Sequence, residues 1–195
     1  GHTDNRPFLT LLPTIIALRD EVQAHYNFSP ALRVGAGGGI GTPEATLAAF
    51  NMGAAYIVLG SVNQACVEAG ASEYTRKLLA SVEMADVTMA PAADMFEMGV
   101  EVQVLKRGTM FAMRAKKLYE LYRQYNAIED IPTDQREKLE KTVFKQTFGE
   151  VWQATRDYFL SRKPEEVTRA EKEPHHKMAL IFRGYLGQAS RWANS

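Results

Sequence analysis

The stretch RVGAGGGIGTPEATLAAFNMGAAYIVLGSVNQA, residues 33–65, places five glycines within the seven positions 35–41. Two familiar readings of such a loop fail. The dinucleotide fingerprint G-x-G-x-x-G finds no frame, because Ile40 stands where Gly35 and Gly37 would require the last glycine. No acidic residue follows YIVLG to hold a ribose, and no Gly-Lys-Ser/Thr makes a P-loop. What surrounds the glycines is more informative. ALRVGA reads as a short strand, Thr42 offers an N-cap oxygen, and Pro43 pre-sets a first helical turn. Ala45, Ala48, Ala49 and Met52 give that helix a small-residue face, and Gly53 closes it. AAYIVLG is continuously apolar, as a parallel strand covered on both sides should be. Residues 31–61 therefore read as one strand–helix–strand unit.

Both strand ends in that unit lead into bare backbone. Gly38 and Gly39 follow the first strand, and Gly60 and Ser61 follow the second. Glycine permits close approach of a ligand to the main chain, and free N–H groups at a helix start attract anions. In a β/α barrel, phosphates bind where the last strands end. The plainer alternative is that the glycines only shape a tight βα turn, although five exceed what a turn requires. A phosphate-bearing ligand is the expectation, with no nucleotide Rossmann fold.

Beyond this unit the chain is ordinary in bulk. Its 195 residues carry equal numbers of acidic and basic groups and are 46% apolar, which suits a globular protein with one or two cores. Zero formal charge argues against nucleic-acid binding. A lone cysteine, Cys66, excludes an internal disulfide framework and fits a reducing, cytoplasmic setting. Apolar runs are too short to span a bilayer. Gly-His at the start, with no methionine, suggests an internal piece of a longer protein.

Helical spacing from Pro13 to Tyr26 predicts a helix before the glycine unit. After Ser72 the composition changes. Short helices are expected over Glu73–Ala80 and Pro91–Met98, then an extended VEVQVLKR. Long charged helices follow, at roughly 112–126, 133–147, 149–162 and 174–193. The boundary falls near residue 72, giving segments 1–72 and 73–195.

GHTDNRP at the start, with GAGGGIGTPE, YIVLGSVNQA and ADVTMAPAADMFEMGVEVQVLKRGTMF, resembles the PfaD-type flavin-dependent enoyl reductases. These serve polyunsaturated fatty acid synthases and trans-acyltransferase polyketide synthases, among the nitronate monooxygenase-like flavoproteins. The resemblance runs almost end to end, through YLGQASRWANS. It implies an α/β fold in which 1–72 is a C-terminal section of an FMN-binding (β/α)8 barrel and 73–195 a mainly helical substrate domain. A full barrel takes about 250 residues, so the resemblance implies an internal section of the enzyme. It also implies reduction of the α,β double bond of an enoyl thioester on an acyl carrier protein, with NADPH as hydride source. The family's phosphate residues carry over to Gly38, Gly39, Gly60 and Ser61. Its active-site histidine matches His2, with Asp4 placed to orient it.

The remaining candidates divide between function and structure. His25 ends a helix, where a cation suits the dipole. His175-His176 has no partner at ligand spacing and reads as a solvated helix start. Six of the eight methionines fall between Met84 and Met113, either as an acyl-chain tunnel or as core. Lys106, Arg107, Arg114, Lys116, Lys117 and Arg123 could meet a carrier protein or a phosphate, although a solvated helix face is preferred. Competing activities are a nitronate monooxygenase-type oxidase and a non-catalytic carrier-protein docking module. A homo-oligomer is compatible with all three.

Overall fold

The computed structural model describes residues 6–192, which form two compact units, one running to Val82 and the other from Glu83. The first unit opens with α1 (Phe8–Tyr26), which starts earlier than expected, so that Pro13 lies inside it. Proline there has no N–H for the carbonyl of Leu9, but Leu9 is exposed and water can serve that oxygen. Asn27 ends the helix in the left-handed region at φ 48°, its N–H donating to Gln23 O.

Strands β1 (Ala36–Gly37) and β2 (Ile57–Val58) pair in parallel, with Ala36 opposite Ile57 and Gly37 opposite Val58. Between them runs α2 (Pro43–Asn51), capped as expected by Thr42, whose hydroxyl accepts from Ala45 N at 3.2 Å. Of its small-residue face only Ala49 is fully buried, packing with Leu12, Ala36 and Ala54 in the core of this unit. Val58 is 60% exposed, so the strand is not covered on both faces by the described residues. Helices α3 (Ser61–Gln64) and α4 (Glu73–Ala80) complete the unit. Among the described residues parallel pairing is limited to β1 and β2, and the chain is mainly helical.

The second unit begins with an antiparallel pair, β3 (Val87–Pro91) and β4 (Glu101–Leu105). The helix expected over Pro91–Met98 is absent. Pro91 ends β3, and a single 3₁₀ turn at Phe96–Met98 leads to Gly99 at φ 71°. A Cβ at Gly99 would collide with the Tyr119 hydroxyl, so glycine is required there twice over. Helices α5 (Phe111–Gln124), α6 (Thr133–Leu139), α7 (Phe148–Leu160), α8 (Pro164–Lys172) and α9 (Pro174–Trp192) follow. The helix expected to run to residue 147 stops at Leu139 and continues as a π-helical turn, Glu140–Phe144. Glu140 caps the next helix by accepting Phe148 N at 2.7 Å, and the rings of Phe144 and Phe148 meet edge to face. Helix α8 was not expected from the sequence.

Helix α9 is the centre of this unit. Met178, Ala179, Leu180, Ile181 and Phe182 are all 0% exposed. Five consecutive buried residues mean a helix covered on every side, and α5, α7 and α8 supply the cover. Phe96, Leu118 and Leu121 complete the core, with aromatic rings of Tyr119, Tyr122 and Phe182 set around Phe96.

Candidate functional site

The parallel register of β1 and β2 sends both strands out at the same edge, so the loop after Gly37 and the loop after Val58 arise side by side. The glycines there have different physical reasons. A Cβ at Gly35 would enter the ring of Tyr56, and one at Gly37 would stand 3.4 Å from Val58 Cβ. Packing requires glycine at 35, whereas the contact at 37 is an ordinary one. Gly38 and Gly39 have φ of 90° and 70°, a conformation that side chains resist, so the turn itself calls for them. Gly60, like Gly41, whose Cβ would meet only Val62 Cγ2 at 3.9 Å, is under neither constraint. Its φ is −116°, and a Cβ built there meets no protein atom within 4 Å. Neither backbone nor packing requires glycine at 60, whereas close approach of an external group would.

The edge suits an anion only in part. Thr42 already takes one N–H of the first turn of α2, and Glu44 in the same turn complements the dipole by itself. Helix α3, which starts at Ser61, has four residues and a correspondingly weak dipole. Backbone N–H groups of the glycine segments are the stronger anion donors here. The main chain at Gly38, Gly39, Gly60 and Ser61 would suit a phosphate. His2 and Asp4 lie outside the described residues.

The other sequence candidates are placed as follows. His25 sits in the last turn of α1. The basic residues are largely engaged within their own unit: Arg107 with Asp86 at 3.3 Å, Arg114 with the Tyr185 hydroxyl at 3.2 Å, Lys116 with Thr88 Oγ1 at 3.5 Å, and Lys117 with Glu120 at 3.8 Å. Met84, Met98, Met110 and Met113 are exposed, so the core reading fails for them.

His175-His176 do lie at a helix start, in the first turn of α9, but they are not solvated. His175 stacks on Tyr122 with centroids 4.0 Å apart, and its Nε2 lies 2.9 Å from Tyr122 O. His176 is 2% exposed. Its Nδ1 lies 3.1 Å from Glu97 and its Nε2 lies 2.7 Å from Glu166. Each ring nitrogen therefore has a carboxylate partner within hydrogen-bond distance. Glu97 also meets Arg183 at 3.4 Å and Arg169 at 3.9 Å. Burial, with Glu97 nearby, pushes the Tyr122 phenol above its ordinary 10. These partners lie 79 and 10 residues from His176, so no local spacing could disclose them.

A cavity of about 460 Å³ opens between α7 and α9, and no sequence motif marks it. No grouping of three metal-ligating side chains occurs among the described residues, and none of their helices is long and apolar enough to cross a membrane.

Comparison with known proteins sets this geometry in context. Residues 125–195 match the family model for the inserted helical domain of acyl-carrier-protein S-malonyltransferase. The whole chain is 54% identical to a segment of one subunit of the polyunsaturated fatty acid synthase of Thraustochytrium sp., covering 10% of that protein. It is 44% identical to the polyketide biosynthesis protein PksE of Bacillus subtilis, covering 25% of it. The chain thus spans a quarter or less of these relatives. Among solved structures, the enoyl reductase domain of MlnA from the macrolactin biosynthesis cluster of Bacillus amyloliquefaciens matches with a TM-score of 0.90 at 36% identity. That match covers 98% of this chain and 43% of the other.

Proposed function

We propose that this chain is a section of an FMN-dependent enoyl reductase that reduces the α,β double bond of an enoyl thioester carried on an acyl carrier protein, with NADPH as hydride source. The observation that carries the reading is the fold shared with an enoyl reductase domain over 98% of the chain. Similarity to polyketide and polyunsaturated fatty acid synthase proteins supports the carrier-bound substrate, and the unexplained glycine at 60 supports the phosphate.

FMN, when bound, supplies the hydride carrier that NADPH refills. Gly38, Gly39, Gly60 and Ser61 would hold its phosphate through backbone N–H groups. His2 serves the substrate. Hydride arriving at the β-carbon leaves negative charge on the thioester oxygen, where a donor stabilises it, and the α-carbon then takes a proton. A histidine titrating near neutrality can do either task, and Asp4 orients the ring.

Denaturing the full-length protein and weighing the released cofactor tests the first part; FAD, or no flavin, would refute it. Oxidation of NADPH driven by a crotonyl thioester tests the second. Oxygen uptake with a nitroalkane, and no thioester turnover, would mean an oxidase instead. For His2→Ala, flavin reduction by NADPH should be retained while reoxidation by the enoyl thioester slows about 10²–10⁴-fold in stopped flow. Reoxidation at the wild-type rate would remove His2 from the mechanism.

A further inference from the structure

The cavity between α7 and α9 has walls of two kinds. Val151, Ala154, Thr155, Tyr158 and Phe159 recur at helical spacing along one face of α7. Opposite them α9 presents Gly184, Gly187 and Gln188, again one face. Tyr158 is 44% exposed, so the cavity opens to solvent.

Three features show that this space is maintained. Glycine weakens a helix interior, yet α9 carries two glycines one turn apart on the cavity face. Neither takes a positive φ, so the backbone does not require them. At Gly184 a Cβ would only reach ordinary contact with Thr155 Oγ1, at 3.5 Å, and at Gly187 it would meet nothing within 4 Å. The side chains that would fill the cavity are thus missing where the helix could carry them. Third, the π-helical turn at Glu140–Phe144 brings Phe144 into the wall, and such turns occur often at functional sites.

The lining specifies the ligand. Aromatic and aliphatic walls favour a flexible apolar chain, and the volume of about 460 Å³ lies within the range of small-molecule sites. The cation in the wall, Arg183, is committed: its Nε donates to Ala93 O at 2.9 Å and its Nη1 lies 3.4 Å from Glu97. Asp94, Gln146 and Gln188 are neighbouring polar groups, and a carboxylate beside two amides suits a neutral carbonyl or amide rather than a phosphate. We infer that this cavity binds the aliphatic chain of an acyl thioester and so sets which chain lengths are accepted. The inference rests on the proposed reading of the protein as an acyl-thioester reductase and adds the place where the chain is held.

Saturated thioesters test it without turnover, in the full-length protein. A dodecanoyl-pantetheine carrying a diazirine near the chain end should, on irradiation, label peptides containing residues 151–159 and 184–188 of the wild type. Labels confined to other peptides overturn the inference. Calorimetric titration with dodecanoyl-pantetheine should show at least tenfold weaker binding to Gly187→Leu and to Ala154→Phe; wild-type affinity in both overturns it. If either variant fails to fold, the wild-type labelling decides alone. A wild type that takes up no probe, with Gly187→Leu lowering Tm, would mean that a segment of the protein itself fills the cavity, and also overturns it. Labelling at 184–188 in a protein that reduces no enoyl thioester would leave the site standing and the reductase assignment fallen. Active reduction with labels elsewhere would leave the reductase standing and overturn the site.

Discussion

Gly60 and His176 mark opposite limits of what single residues disclose. Gly60 stands out in the sequence because a glycine after a strand needs a reason, and the structure supplies neither a backbone nor a packing one. It is also the cleaner position for testing the phosphate. At Gly39 any side chain is resisted by φ of 70°, so loss of cofactor there has two explanations. Gly60→Val should unfold within about 0.5 kcal/mol of the wild type yet lose most of its flavin, read as absorbance per protein. Full occupancy would mean that main chain at 60 does not meet the phosphate. His176 was illegible because its partners come from a distant turn and a separate helix. Removing it takes a hydrogen-bond partner from both Glu97 and Glu166, although Glu97 keeps Arg183. Their side chains are 27% and 28% exposed, so His176→Ala should cost about 1–3 kcal/mol, the range for hydrogen-bonding groups that lose a partner. A lower urea midpoint with unchanged slope would show it, and an unchanged midpoint would refute it.

At the scale of elements, local chemistry decided what could be foreseen. Thr42-Pro43 and Glu73–Ala80 were placed correctly because caps and helical periodicity act within a few residues. Pro91–Met98 was misread because a proline followed by Ala-Ala-Asp imitates a helix start. Its pairing with Glu101 across the β3–β4 hairpin is not a local property. Helix α7 offers a measurable local case. Thr147 caps it by accepting Glu150 N, and the Glu150 carboxylate accepts Thr147 N at 2.8 Å in return. Thr147→Ala should cost about 1 kcal/mol in thermal or urea unfolding. Glu150 adds a pH signature, since the N–H of Thr147, and then its hydroxyl, hold the carboxyl below its ordinary 4.5. A carboxyl depressed in the folded state contributes stability that is whole above the unfolded value and is lost as pH falls through the folded one. Glu150→Gln should therefore differ from the wild type at neutral pH and converge with it between about pH 5 and 3. Parallel unfolding curves across that window would exclude the charge as the cause.

For the molecule as a whole, the two units differ in how much of their stability they carry themselves. The first rests on a small core around Leu12, Ala36, Ala49 and Ala54, with two-residue strands and Leu9, Leu47, Val58 and Val67 exposed. A two-stranded sheet is marginal alone. The second encloses a broad core around α9. Expressed separately, 83–195 should unfold cooperatively, and 1–82 should show no cooperative transition; cooperative unfolding of 1–82 alone would contradict this account. The composition change after Ser72 falls ten residues before the division between Val82 and Glu83, leaving α4 on the wrong side of it. The weakness of the first unit lay in exposure, which sequence does not print. The position of α9 has a consequence for biosynthesis. Phe96, Leu118 and Tyr122 are made early and need a helix that comes about fifty residues after α5 ends. At about 5–20 residues per second, a ribosome takes roughly 2–10 s to cross that interval. Throughout it the nascent chain carries an uncovered aromatic surface, and that interval is when a chaperone has something to hold.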